Sequence, residues 1–158
     1  MSLEKAKASL ARQGLADRII ELEHSSATVE LAAEALGCEP GRIAKTLAFL
    51  AGESALLVLA EGTARIESRK FKAAFHAKPK MIPADKVEEL TGHAPGGVCP
   101  FGVNSGVAVY LDESLRKYDT VYQAAGNDHS AVRLTIAGLE ACSGSKGWVD
   151  VCRGSCAT

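Results

Sequence analysis

The stretch KTLAFLAGESALLVLA, residues 45–60, decides the fold. Two apolar runs of strand length flank Gly52, Glu53 and Ser54, so the stretch predicts a buried β-hairpin. Pro40, Gly41, Arg42 and Ile43 turn the chain into it. Upstream, Leu3, Ala6 and Leu10 recur at helical spacing within residues 2–13, and Gly14 is the stop. Residues 18–22, RIIEL, predict a short strand. Thr28 then caps a helix over residues 29–36, VELAAEAL, which Gly37 ends.

Downstream, residues 67–75 are basic and helical in pattern, 81–82 predict a short strand, and 84–91 a helix stopped at Gly92. Residues 93–106, HAPGGVCPFGVNSG, are too rich in glycine and proline for regular structure and are read as loop. VAVYLD (107–112), TVYQAAG (120–126) and AVRLTI (131–136) are three further strands, followed by a short helix at 137–141. Helices and strands alternate irregularly, with hairpin-type links among the strands. The pattern predicts an α+β fold, a mixed sheet with helices around it, and not a regular βαβ array.

At 158 residues, with no repeat or low-complexity linker, residues 1–158 read as a single domain. A composition 47% hydrophobic and 23% charged is that of a globular protein and argues against disorder. No uncharged run approaches the ~18 residues of a membrane span. Charges interrupt the N-terminal MSLEKAKASLARQG where a signal peptide needs its apolar core, so a cytoplasmic location is expected. The net charge of −1 excludes a uniformly basic nucleic-acid coat but leaves room for a local basic face. Cys38, Cys99, Cys142, Cys152 and Cys156 are odd in number and form no CxxC pair. His24, His76, His93 and His129 stand at no ligand-like spacing from them, so reduced thiols and no metal are expected.

Four places carry chemistry. In the loop Gly96, Gly97, Val98, Cys99, Pro100, Phe101, Gly102, four of seven residues are Gly or Pro, so its backbone can approach a ligand closely and rigidly. It is neither a phosphate-binding Walker loop nor a dinucleotide fingerprint, because neither spacing is present. Lys45 enters an apolar strand, and an inward ammonium there needs an anionic or carbonyl partner, which a ligand can supply. Gly126, Asn127, Asp128, His129 and Ser130 lie between two strands. Three adjacent residues cannot form a hydrogen-bonded relay, which leaves His129 as a ligand contact and no triad. Cys99 has no visible base or helix N-terminus to lower its pKa, which argues against a nucleophile. Residues 65–80 hold Arg65, Arg69, Lys70, Lys72, Lys78 and Lys80 against the single Glu67, a face suited to a phosphate backbone.

AlaLysThrLeu at the head of the hairpin, GlyGlyValCysProPheGly some way downstream, and the glycine-led turn near residue 126 together resemble the YbaK/prolyl-tRNA editing domain family. ValGluGluLeuThrGly before the loop and ValTyrLeuAspGluSerLeu after it match as well, so the likeness covers residues 24–140. The resemblance implies a mixed, barrel-like twisted sheet with surrounding helices. It further implies a trans-acting hydrolase that removes a small wrong amino acid, such as alanine or cysteine, from mischarged tRNA, most typically tRNA(Pro). No metal or organic cofactor is expected, and prolyl-tRNA synthetase is a candidate partner.

Carried over residue by residue, the family lysine falls on Lys45 and the loop motif on Gly97, Val98, Cys99 and Pro100, with Phe101 and Gly126 beside the substrate. A histidine found in synthetase-inserted members corresponds to His129. The tRNA-binding role falls to the basic residues of 65–80. The ester is already activated and the neighbouring ribose hydroxyl assists, so no strong protein base is required. Two other readings compete: a non-catalytic module that holds tRNA acceptor ends or docks on a synthetase, and a general small esterase.

Overall fold

The protein is described here by a computed structural model covering residues 2–23, 25, 28–94, 98–127 and 129–153. The hairpin forms as its sequence predicts. Strands β2 (Ile43–Ala51) and β3 (Ser54–Glu61) pair antiparallel from Ala44 opposite Glu61 to Ala51 opposite Ser54. Residues 55–60 are all buried, because β3 is an interior strand with core on both faces. Leu57 and Leu59 enter the main core, while Leu56, Val58 and Ala60 enter a second cluster with Phe49 and Phe71. Their continuous apolar run is the signature of such a doubly covered strand.

Helix α1 (Ser2–Ala11) buries Ala6 and Leu10 in the main core, and strand β1 (Ile19–Glu21) follows it. In α2 (Val29–Leu36) the Thr28 Oγ1 accepts from the Leu31 N–H at 3.1 Å, and Gly37 closes the helix at φ 67°. Both ends are the capping chemistry read from the sequence. The chain continues through β4 (Arg65–Ile66), α3 (Ser68–Phe75), α4 (Ala84–Thr91) and β5 (Ala108–Asp112). It ends with β6 (Thr120–Ala124), β7 (Ser130–Thr135), α5 (Ile136–Cys142), β8 (Trp148–Val149) and β9 (Cys152–Arg153).

Among the described residues, seven strands form one sheet in the order β1-β7-β6-β2-β3-β5-β8. The β1/β7, β6/β7 and β2/β3 pairs are antiparallel, while β2/β6, β3/β5 and β5/β8 are parallel. The expected α+β class with a mixed sheet is therefore what the chain adopts. Residues 81–82 make only an isolated bridge, Met81 to Phe49, and not a strand. The short β4, β8 and β9 have no counterpart in the sequence reading, since two residues cannot display an alternating pattern. No helix among the described residues is long and apolar enough to cross a membrane.

Two glycines let the end of β3 pack against the turn that leads into β2. A Cβ on Gly41 would stand 2.1 Å from the Tyr118 hydroxyl, and one on Gly62 would stand 2.0 Å from the Pro40 carbonyl oxygen. The second obstacle is backbone and cannot swing aside. Gly62→Ala is therefore expected to cost on the order of 2 kcal/mol or more of stability, the upper range for overpacking. Urea unfolding should show this as a lowered midpoint with an unchanged m-value.

Candidate active site

Strands β2 and β6 pair over only two positions, Ile43 with Tyr122 and Ala44 with Gln123. A cavity of about 170 Å³ lies at this short junction. Its walls are residues 43–46 of β2, 122–124 of β6, Ser130 and Ala131 of β7, the Val29, Ala32 and Leu36 face of α2, Thr28, and Val98 from the glycine–proline loop. Gln123 is fully buried and bolts the junction together. Its amide donates to the Ala44 carbonyl at 3.1 Å and accepts from the Ala124 N–H at 3.1 Å and the Thr46 hydroxyl at 2.9 Å.

Lys45 lies on the cavity wall. The hairpin register sets it opposite Ala60, so its side chain reaches the turn that follows β3. There the ammonium donates to the carbonyl oxygens of Gly62, at 3.3 Å, and Ala64. Desolvation pushes its pKa below the ordinary 10.5; the nearby Cys152 and Glu61 pull it back up, and Arg65 pushes it down. The partner that an inward lysine requires is thus, in part, the protein's own backbone.

The same turn is held from the other side by Glu61, a residue the sequence reading passed over. Its carboxylate is buried, accepts from the Thr63 N–H and hydroxyl, and meets the Lys117 ammonium at 3.2 Å. Burial raises the Glu61 pKa, but the Thr63 and Lys117 hydrogen bonds outweigh it and hold the carboxyl below its ordinary 4.5. The Glu61 N–H in turn donates to the Ser114 hydroxyl at 3.2 Å. An acidic residue closing an otherwise apolar run was the available signal.

The remaining sequence candidates divide. Val98 joins Lys45 on the cavity wall, whereas Gly97 lies outside the described residues. Pro100 is buried, and Cys99 and Phe101, expected beside the substrate, have their side chains in the main core. Burial pushes the Cys99 thiol up to about 12. Gly126, at φ 102°, and the exposed His129 belong to the β6–β7 connection, whose two ends line the cavity although neither residue does. The His129 N–H donates to Asn127 Oδ1 at 2.9 Å, and its carbonyl accepts from the Leu22 N–H at 2.6 Å.

Of the basic block, Arg65 is near enough to Lys45 to depress its pKa, and Arg65, Arg69, Lys72, Lys78 and Lys80 are exposed. Lys70 is committed elsewhere: it bonds Asp150 at 3.0 Å and the Cys152 carbonyl at 3.2 Å. Among the described residues no group of three His, Cys, Asp or Glu side chains is placed to hold a metal ion.

The sequence pattern of the aminoacyl-tRNA editing domain matches residues 23–142. The chain belongs to that family. As a member it is an aminoacyl-tRNA hydrolase, related to prolyl-tRNA editing proteins. The editing domain is 42% identical over 154 residues to the uncharacterised protein YwhH of Bacillus subtilis, covering 97% of this chain and 98% of that one. It is 32% identical over 114 residues, 71% of this chain and 68% of the relative, to EbsC of Enterococcus faecalis, provisionally assigned as a Cys-tRNA(Pro)/Cys-tRNA(Cys) deacylase. A crystal structure of a protein provisionally assigned as a trans-editing enzyme for prolyl-tRNA synthetase superposes with a TM-score of 0.86. The two are 33% identical, over 97% of this chain and 98% of that one.

His93 is a second residue the sequence reading did not select, and it ties the two stems of the editing domain's loop. It is fully buried, with Nε2 donating to the Phe101 carbonyl at 2.6 Å and lying 3.6 Å from the Cys99 sulfur. Its Nδ1 has no hydrogen-bond partner among the described residues. Desolvation pushes the His93 pKa below 6.5, against the opposing pull of the Phe101 carbonyl. The unfolded chain therefore takes up a proton near pH 6.5 that the native state refuses, so this residue's contribution to stability is lost as pH falls below that value. His93→Gln keeps an N–H donor and removes the titration. Thermal melts at about pH 7.5 and about pH 5.5 should show a smaller stability loss in the variant than in the wild type.

Proposed function

We propose that the domain acts in trans on tRNA(Pro) mischarged with a small non-cognate amino acid, hydrolysing the ester to free amino acid and tRNA. The observation that carries this reading is the cavity of about 170 Å³ with Lys45 on its wall. That volume is the scale of a benzene-sized guest, well under the ~300–1,000 Å³ of a drug-sized pocket, and suits a short side chain. The need for such a sieve is energetic: a site shaped for proline rejects an amino acid lacking a methylene by only ~1–3 kcal/mol.

In this reading the small side chain enters the cavity while the ester lies at its mouth between Lys45 and the loop bearing Val98. A lysine ammonium has three donors. Gly62 and Ala64 engage two, which fixes the direction of the third toward the developing oxyanion or the terminal phosphate. Gly97 to Pro100 supply backbone that cradles the aminoacyl end and positions the attacking water. The ribose hydroxyl next to the ester assists proton transfer, so the protein contributes positioning and electrostatics and needs no strong base. The exposed cations Arg65, Arg69, Lys72, Lys78 and Lys80 steer the acceptor strand, with prolyl-tRNA synthetase as a candidate partner in delivering it.

The test is deacylation of tRNA(Pro) charged with alanine, cysteine, serine, 2-aminobutyrate or proline. Wild type should release one or two of the small amino acids and spare proline. Lys45→Ala should fold normally by circular dichroism yet lose on the order of 10²–10³ in kcat. Retained tRNA binding with no turnover of any member of the panel would instead favour a docking module. Replacing Arg69 and Lys72 together by alanine should raise KM with little change in kcat. It should also flatten the dependence of tRNA affinity on salt by up to about one unit of log–log slope per lost phosphate contact.

A further inference from the structure

Ser130 opens β7, pairs across the ladder with Glu21, and is 1% exposed. It forms part of the cavity wall. Its hydroxyl has no hydrogen-bond partner among the described residues. Buried hydroxyls are almost always paired, and one left unpaired is costly, so this exception needs a cause.

Four other polar side chains of the cavity wall are each engaged at least in part. Lys45 holds backbone carbonyls, Thr46 and Gln123 bond one another, and Thr28 accepts from the Leu31 N–H. The Ser130 hydroxyl is itself enclosed beside the cavity, with both its donor and its acceptor uncommitted among the described residues. The side chain turns about a single bond between staggered positions, so the hydroxyl can swing to a guest without backbone movement.

We infer that Ser130 selects the substrate: its hydroxyl pairs with the polar tip of a small aminoacyl side chain, so that seryl and cysteinyl esters are preferred to apolar esters of the same size. This rests on the deacylase reading above. A guest ending in a methyl group leaves the buried hydroxyl as it was. A guest ending in O–H or S–H satisfies it, and a site built around such a bond discriminates far better than a shape-matched apolar one.

Serine and 2-aminobutyrate make the decisive comparison, because they differ by a hydroxyl against a methyl at one position. With tRNA(Pro) charged by each, wild type should favour serine in kcat/KM by about tenfold or more, the expected size of one buried hydrogen bond. In Ser130→Ala that ratio should collapse toward one, through loss on the seryl and cysteinyl substrates. Turnover of the alanyl and 2-aminobutyryl substrates should stay within about threefold of wild type. The variant's melting temperature should equal or exceed that of wild type, since an unpaired buried polar group has been removed.

An unchanged ratio would overturn the inference. So would an equal loss on every substrate, which would assign the hydroxyl to the ester or the ammonium common to all of them. Failure of Ser130→Ala to fold would overturn it too, because the hydroxyl would then have a structural partner. Absence of turnover by wild type on every charged tRNA would overturn the deacylase reading itself, a result distinct from active but unselective hydrolysis.

Discussion

Everything at the candidate active site depends on how one half-buried lysine ammonium is held. Lys45 leaves β2 beside the turn after β3, and that turn offers it the carbonyl oxygens of Gly62 and Ala64. A charge taken out of water without partners would lose its proton or reorganise its surroundings. With backbone oxygens at fixed positions, the ammonium keeps both its charge and its direction. The turn must then be rigid, and Glu61 makes it so by accepting from Thr63 on one side and meeting Lys117 on the other.

The same requirement explains the close approaches around it. Gly41 and Gly62 bring the Pro40 turn against the end of β3 at distances that leave no room for a side chain. That contact fixes the entry to β2, and so the origin of the register that sets Lys45 opposite Ala60. On the cavity's other wall, Gln123 closes the short β2–β6 junction by satisfying Ala44, Thr46 and Ala124 together. Polar groups inside the fold therefore act as fasteners at the places where the sheet pairing is thinnest. Ser130 departs from that rule in having no fastening partner among the described residues.

Much of the fold was legible because it rests on local physics. The hairpin of residues 45–60 declares itself by two long apolar runs and a turn. Thr28 and Gly37 mark the ends of α2 by capping chemistry that needs no tertiary contact. Lys45 stood out because a lysine in an apolar strand is anomalous wherever the chain goes. By contrast, Glu61, Gln123 and His93 gave little sign of themselves, and Ser130 stood out only as the end of a turn. Their significance lies in burial and in what faces them across the sheet, and a linear chain records neither. Cys99 and Phe101 show the converse case for side chains. Their place in a distinctive loop suggested ligand contact, yet adjacent residues of a loop point in different directions, and these two point into the core.

The sequence by itself determined the α+β class, the central hairpin, the helix ends and the lysine at the head of β2, since each follows from periodicity, capping or the cost of a buried charge. Only the tertiary structure decided the strand order β1-β7-β6-β2-β3-β5-β8, the parallel contact of β2 with β6, and the cavity at that junction. The physical reason is separation along the chain. Ala44 and Gln123 meet through the folding of everything between them, and the energy that joins them belongs to the assembled core rather than to either segment.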